Sequence, residues 1–264
     1  TLDSFGSAGD TMLIEGDVAA LIVGASPAIN DSVFNMDMNV EGDLGSLIVY
    51  GRLDGDVYVT GSLRNMAVHA DAVTQGTSIV DGNVTVLNDL TSAVIMNGNV
   101  GDGVFERSIT VGGDIGSFVL NNGDIAPFAT LSSSFGNIGS VMINGGRLGG
   151  NMRGEIHADS GNIGSIVITR SDLGENSEIT AENLNLLQLS GSVLSGARVN
   201  IEEKLGTTIV GRNVLPSAVI EAGSGNFVSV GHDMLGDIKL GYQTLPVVVT
   251  VGRDLGGLLS VDAN

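Results

Sequence analysis

The sequence predicts an all-β protein, a parallel β-solenoid of about eleven coils of 19–27 residues in a single domain. Three observations carry that expectation: a degenerate repeat, short runs of apolar/polar alternation, and abundant glycine with few aromatics. The repeat is plainest in Ile115-Gly116-Ser117-Phe118-Val119-Leu120, Ile138-Gly139-Ser140-Val141-Met142-Ile143 and Ile163-Gly164-Ser165-Ile166-Val167-Ile168. Leu44-Gly45-Ser46-Leu47-Ile48-Val49 is the same unit. With gaps allowed, its serine position recurs at 20, 46, 65, 92, 117, 140, 165, 186, 207, 227 and 247. Units this short cannot bury an apolar face alone, but stacked units share a continuous core. Propeller blades need roughly 40–50 residues, which excludes that alternative. At about 4.8 Å per coil the rod is roughly 50 Å long. The crossover rule favours right-handed coiling.

Residues 1–10 read as a leader that could take part in subunit contacts, and residues 11–264 as the solenoid, opening on Thr11-Met12-Leu13-Ile14. Each coil then has two beats. The first is the Gly-Ser strand, followed by a turn and an apolar residue such as Ile125, Leu148 or Leu173. The second is a short alternating strand: Val57-Tyr58-Val59, Val84-Thr85-Val86, Ile109-Thr110-Val111, Ile156-His157-Ala158, Ile179-Thr180-Ala181, Val199-Asn200-Ile201 and Ile238-Lys239-Leu240. Its outward residues, from Tyr58 and Thr85 to Asn200 and Lys239, form a solvated face. Glycine, Asp and Asn between the beats supply turns. The stretch from Ile179 to Leu189 has helix-forming residues, but Ile179 and Ala181 keep step with the strand pattern, so strand is expected. Three residues after each serine position stands an aliphatic residue in ten of eleven cases, Val23 to Val230, with Thr250 the exception. Such a column fills a solenoid core.

The first beat is apolar on both sides. Neighbouring strand residues point to opposite faces, so one apolar stripe faces outward whichever parity is inside. Two residues after each serine position stand Ile22, Ile48, Ala67, Val94, Val119, Met142, Val167, Gln188, Ile209, Ser229 and Val249. A stripe running the length of the rod marks an interface, and a second copy of the chain is the expected cover, with the chain's own segment from Thr1 to Asp10 or the insert near Pro27 as the alternative. The terminal strands point the same way. No polar cap follows Val247-Val248-Val249-Thr250-Val251 and Leu258-Leu259-Ser260-Val261, so either the chain is a fragment of a longer solenoid or its open strand edges invite end-to-end stacking, which is the reading taken forward. The expected interface is therefore Thr11, Met12, Leu13, Ile14, Ile48, Val94, Val119, Met142, Val167, Ile209, Val247, Val249, Leu258 and Leu259.

Composition narrows the function. Lys plus Arg number 11 and Asp plus Glu 30, a net charge of −19. That excess argues against nucleic acid and anionic membrane surfaces. No apolar run is long enough to span a bilayer. Without cysteine there is no disulfide, thiolate metal site or thiol nucleophile. The chain begins at Thr1, as a processed product would. No nucleophile elbow or phosphate-binding loop is present. His69, His157 and His232 lie on different coils, with no partner at metal-ligand spacing. Carbohydrate-cleaving chemistry wants facing carboxylates with aromatic platforms. The chain has no Trp and three Tyr, so no catalytic residue is assigned. Calcium is the one cofactor with a candidate site: Asn35, Asp37, Asn39, Glu41 and Asp43 alternate with apolar residues, placing oxygens in a row, with Asp37, Glu41 and Asp43 as its acids. Asp43, Asp114, Asp124, Asp172 and Asp254 recur in turns and are expected to stack as charge ladders, relieved by Arg52, Arg147 and Arg253 or a cation. Asn30-Asp31-Ser32 and Asn83-Val84-Thr85 are glycosylation sequons.

The runs Gly-Asp-Leu-Gly-Ser-Leu-Ile-Val (42–49), Gly-Asp-Ile-Gly-Ser-Phe-Val-Leu (113–120) and Gly-Arg-Asp-Leu-Gly-Gly-Leu-Leu (252–259) resemble the β-helical repeats of large secreted microbial surface proteins, including haemagglutinin- and autotransporter-type adhesins and extracellular fibre or matrix proteins. The resemblance covers nearly the whole chain and implies an extracellular location and a structural or adhesive role. The expected function is thus a non-enzymatic, extracellular solenoid that self-assembles. An adhesin stalk binding surface glycans is the alternative, and a carbohydrate-active enzyme the third reading.

Overall fold

The computed structural model describes the chain outside residues 1–3, 6, 8, 25–31, 71–77, 102–103, 105, 146–150, 244–246 and 264. Those residues form a parallel β-solenoid with no helix among them. Three faces run along the rod. Face 1 holds the Gly-Ser strands, among them Leu63–His69, Leu90–Met96, Ile115–Asn121, Ile138–Asn144 and Asn162–Thr169. Face 2 holds the second-beat strands, among them Thr11–Glu15, Asp37–Glu41, Arg107–Val111 and Glu155–Ala158. Face 3 is narrow: short strands such as Ser32–Phe34 and Asn99–Val100 give way to single bridges from Val193 through Val214 and Met234 to Leu255. The helix-tempting stretch lies in one strand, Glu178–Leu189, which bends from face 2 to face 1 at a bulge between Ala181 and Asn183.

One coil shows why these residues fold this way. Ile109 and Val111 enter from face 2, Ile115, Phe118 and Leu120 from face 1, and Ile125 from face 3, all essentially inaccessible to solvent. Each such side chain contributes about 1.5–3 kcal/mol by burial. The backbone amides bond along the axis to the next coil, so every coil needs its neighbours. The repeated glycine is steric. A Cβ on Gly116, Gly139 or Gly164 would sit 2.3–2.4 Å from the carbonyl oxygen of the coil before, at Thr91, Gly116 and Gly139 respectively.

The register agrees with the sequence reading from 20 to 227 and departs from it in the last coil. Phe227 pairs with Val248, so the serine position is 248 rather than 247. The aliphatic column therefore ends on Val251, opposite Val230, and Thr250 faces outward opposite Ser229. Val249, expected on the outward stripe, pairs with Val228 and points inward. A run of three valines carries no parity mark, which is why the sequence misplaced it by one residue. Two further points concern face 3. Ser4–Phe5, within the segment read as a leader, pairs with Val33 and Phe34 and so belongs to a coil. Leu148 lies outside the described residues, and Met152 is the residue paired with Leu173.

Candidate assembly and binding surfaces

Face 1 presents two outward columns of eleven residues each, following the strand register. One runs Ala20, Ser46, Asn65, Ser92, Ser117, Ser140, Ser165, Leu186, Thr207, Phe227 and Val248. The other runs Ile22, Ile48, Ala67, Val94, Val119, Met142, Val167, Gln188, Ile209, Ser229 and Thr250. Neither column contains a charged residue, on a chain of net charge −19. Ile22 is 58% exposed, Met142 43% and Ile209 36%, while Ile48, Val94, Val119 and Val167 are half-buried. Beyond Val167 the apolar position alternates between columns, at Leu186 beside Gln188, back at Ile209 in the next coil, and then at Phe227 and Val248.

The two ends of the rod present matching positions. Met12, Ile14 and Leu21 start inward columns that finish, rung by rung, at Leu259, Val261 and Val249. These end residues pack on the core yet stay partly accessible, as do Val247 and Val251. Thr11 is exposed and Leu13 is 54% exposed at one end, and Leu258 is 52% exposed at the other. Among the described residues, Thr11–Glu15 and Val248–Val251 are paired on one side only.

Face 2 carries the charge. Asp37 and Glu41 point outward from one strand, as alternation requires, and Asp43 lies in the following turn. Asp37 Oδ1 accepts the Asp56 N–H at 3.0 Å, and Asp43 Oδ1 accepts the Ser62 N–H at 2.7 Å. Among the described residues, no group of three or more His, Asp or Glu is placed to hold a metal ion. The turn acids fall on two ladders rather than one. Asp17, Asp43, Asp89, Asp114 and Asn137 each accept a backbone N–H from the next coil, at 2.7–3.0 Å. Asn99, Asp172, Asn213 and Asp233 accept the N–H groups of Asp124, Ser192, Asp233 and Asp254 at a second corner, at 2.6–3.4 Å. Ser and Asn interrupt both ladders, and Arg253 bonds Asp233 at 3.0 Å, which relieves the repulsion expected of stacked carboxylates. Arg52 bridges Asp54 at 3.1 Å, and Arg147 lies outside the described residues.

His69 stacks on Tyr50, with ring centroids 5.7 Å apart, and its burial lowers its pKa. His232 is exposed in a turn. His157 is the histidine with a carboxylate partner, which the sequence reading missed: Nε2 lies 3.0 Å from Glu155 Oε2, and Nδ1 bonds Thr180 Oγ1. The Glu-x-His spacing on an alternating strand was the available signal. Hydroxyl, imidazole and carboxylate stand in the order of a nucleophile, base and orienting acid. However, both strands lie inside the parallel ladder, which commits their amides along the axis rather than to a developing oxyanion.

Two open grooves lie on face 2. One, of about 430 Å³, is bounded by Glu202, Glu221, Lys239 and Asp262 near the last coil. The other, of about 510 Å³, is bounded by Asn83, Glu106, Arg107, Ser108, Phe128, Thr130 and Glu155. Asn83 of the second sequon donates its amide to Asp56 and accepts from Ser108, so its side chain is occupied. Asn30 of the first lies outside the described residues.

Together the ladders and faces define the chain as a β-solenoid repeat protein. No family model, curated protein or solved structure matches it. No helix among the described residues is long and apolar enough to cross a membrane.

Proposed function

We propose that the chain is an extracellular, non-enzymatic structural protein whose solenoid rods assemble with copies of themselves, end to end through the terminal rungs and side to side through face 1. The observation that supports it best is the column-by-column match of the two ends. Leu259 of one copy set over Met12 of the next, with Val261 over Ile14 and Val249 over Leu21, would continue the core without a change of chemistry. Axial growth of this kind is heterologous and does not close.

Face 1 supports the lateral contact. A strongly acidic molecule repels its own copies, and the two uncharged columns of face 1 offer the approach with least repulsion. A strip about 50 Å by 12 Å would cover roughly 600 Å² on each partner, at the lower edge of stable interfaces. The extracellular location rests on the likeness of the Gly-Asp-Leu-Gly-Ser repeats to secreted surface proteins.

Electron microscopy of the purified chain over a range of concentrations tests the reading. Filaments with a subunit repeat of roughly 50 Å support it. Pro at Val249 removes a strand donor and should stop elongation. Asp at Val119 and Val167 should separate laterally paired filaments while single rods persist. Rods that stay single at every concentration would overturn it in favour of a stalk.

A further inference from the structure

The groove on face 2 overhung by Phe128 contains a residue that the fold does not ask for. One turn recurs at this corner in four coils. Ala129 donates its N–H to Ala126 at 3.1 Å, Ser177 to Gly174 at 3.3 Å, Ala197 to Leu194 at 3.1 Å and Ala218 to Leu215 at 3.1 Å. The third residue of each turn is left-handed, with φ of +64° at Phe128, +62° at Asn176, +80° at Gly196 and +64° at Ser217. Glycine and asparagine suit that backbone, and a bulky aromatic does not. Phe128 nevertheless occupies it and remains 62% exposed, so the ring gains little from burial. A strained, exposed aromatic at the mouth of a groove points to a ligand.

The groove's polar wall indicates which ligand. Thr130 Oγ1 and His157 Nε2 both engage Glu155 Oε2, at 3.4 and 3.0 Å, which fixes that carboxylate in place. Arg107 is held by Asp81 at 3.2 Å, so its charge is compensated. Glu106 is exposed. The site therefore offers an aromatic face, one fixed carboxylate acceptor at Glu155 and no net positive charge. Those features suit a sugar ring, whose C–H face stacks on an aromatic while its hydroxyls donate to carboxylates. They disfavour a polyanion.

We propose that this groove binds a neutral saccharide, with Phe128 as the stacking platform and Glu155 as the principal hydroxyl acceptor. The site is independent of self-assembly. Titration of the full chain with neutral cello-, xylo-, manno- and malto-oligosaccharides, followed by calorimetry, tests it. Saturable binding of at least one is expected, weakened tenfold or more in F128G and in E155Q. F128G relieves the left-handed strain, so its melting temperature should hold or rise, separating lost binding from lost folding. F135A changes an exposed aromatic outside the groove and should bind normally. The proposal is overturned if no neutral oligosaccharide binds, if F128G binds as well as the parent, or if a sulfated polysaccharide binds in preference.

Discussion

The Asn137 backbone N–H donates to Asp114 Oδ1, one coil earlier, at 2.7 Å. The Asn137 side-chain amide reaches the same oxygen at 3.3 Å. This aspartate thus serves as an acceptor for the turn above it, a role that needs an oxygen and not a charge. Asp114→Asn should therefore keep the stability of the parent, whereas Asp114→Ala should lose about 1 kcal/mol. In melting temperature that is a loss of roughly 2–4 °C. The same logic applies to Asp37 and Asp43, so chelator should leave the transition unmoved. A rise of several degrees with millimolar calcium would instead show that Asp37, Glu41 and Asp43 hold a cation.

Gly139 is exposed, yet it should be among the least tolerant positions. Its missing Cβ leaves room for the Gly116 carbonyl oxygen, which an alanine methyl would meet at 2.3 Å. The obstacle is backbone, so rotamer changes give no relief. Gly139→Ala should cost about 1–3 kcal/mol or more, read as a lower denaturation midpoint. A neutral result would mean that the coils slide apart more readily than their register implies.

Thr208 breaks the apolar column between Leu187 and Val228 on the inner side of face 1. It is fully buried, and its Oγ1 has no hydrogen-bond partner. Thr208→Val keeps the shape and removes the stranded hydroxyl. The variant should be more stable by about 1–2 kcal/mol in urea unfolding. Loss of stability would reveal a partner for the hydroxyl.

Acid should reach the fold through Asp124 and Asp54. Burial raises the pKa of Asp124 above the ordinary 3.8, against the opposing bond from Ser171 and the charge of Arg153. Burial likewise raises that of Asp54, against Arg52. An acid with a higher pKa folded than unfolded stabilises the fold when it is protonated. Its contribution is complete below 3.8 and is lost as pH rises through the folded value. His69 has the opposite sign, because burial favours its neutral form; its contribution is present above 6.5 and falls away below. Asp124→Asn mimics the protonated acid and keeps an oxygen for Ser171. It should melt higher than the parent at pH 7, and the gap should close on acidification. A lower melting point at pH 7 would mean that Arg153 outweighs burial.

How much of this the sequence revealed depended on periodicity. The Ile-Gly-Ser units set the face 1 register from 20 to 227, because inward apolar columns three and two residues apart, as at Ile115, Phe118 and Leu120, leave one self-consistent alignment. The Val247–Val249 run has no such contrast, and there the alignment slipped by one. Face 3 is one to three residues wide, too short for alternation to register, so Met152 and the bridges from Val193 to Leu255 were not seen as a column. The acids were visible as a recurring set. Their division between two corners was not, since coil lengths differ and spacing alone cannot say which corner a turn occupies. Phe128 gave no signal: an aromatic after Pro127 reads as core until its exposure and left-handed backbone are seen.

The axial direction of the interstrand bonds has a mechanical consequence. Force applied along the rod loads the coils in series, so the weakest rung yields first and the rest remain folded. Each coil that peels away releases about 19–27 residues, or roughly 65–90 Å of contour length. A pulled rod should therefore lengthen in a train of small, nearly equal steps and dissipate energy at each one.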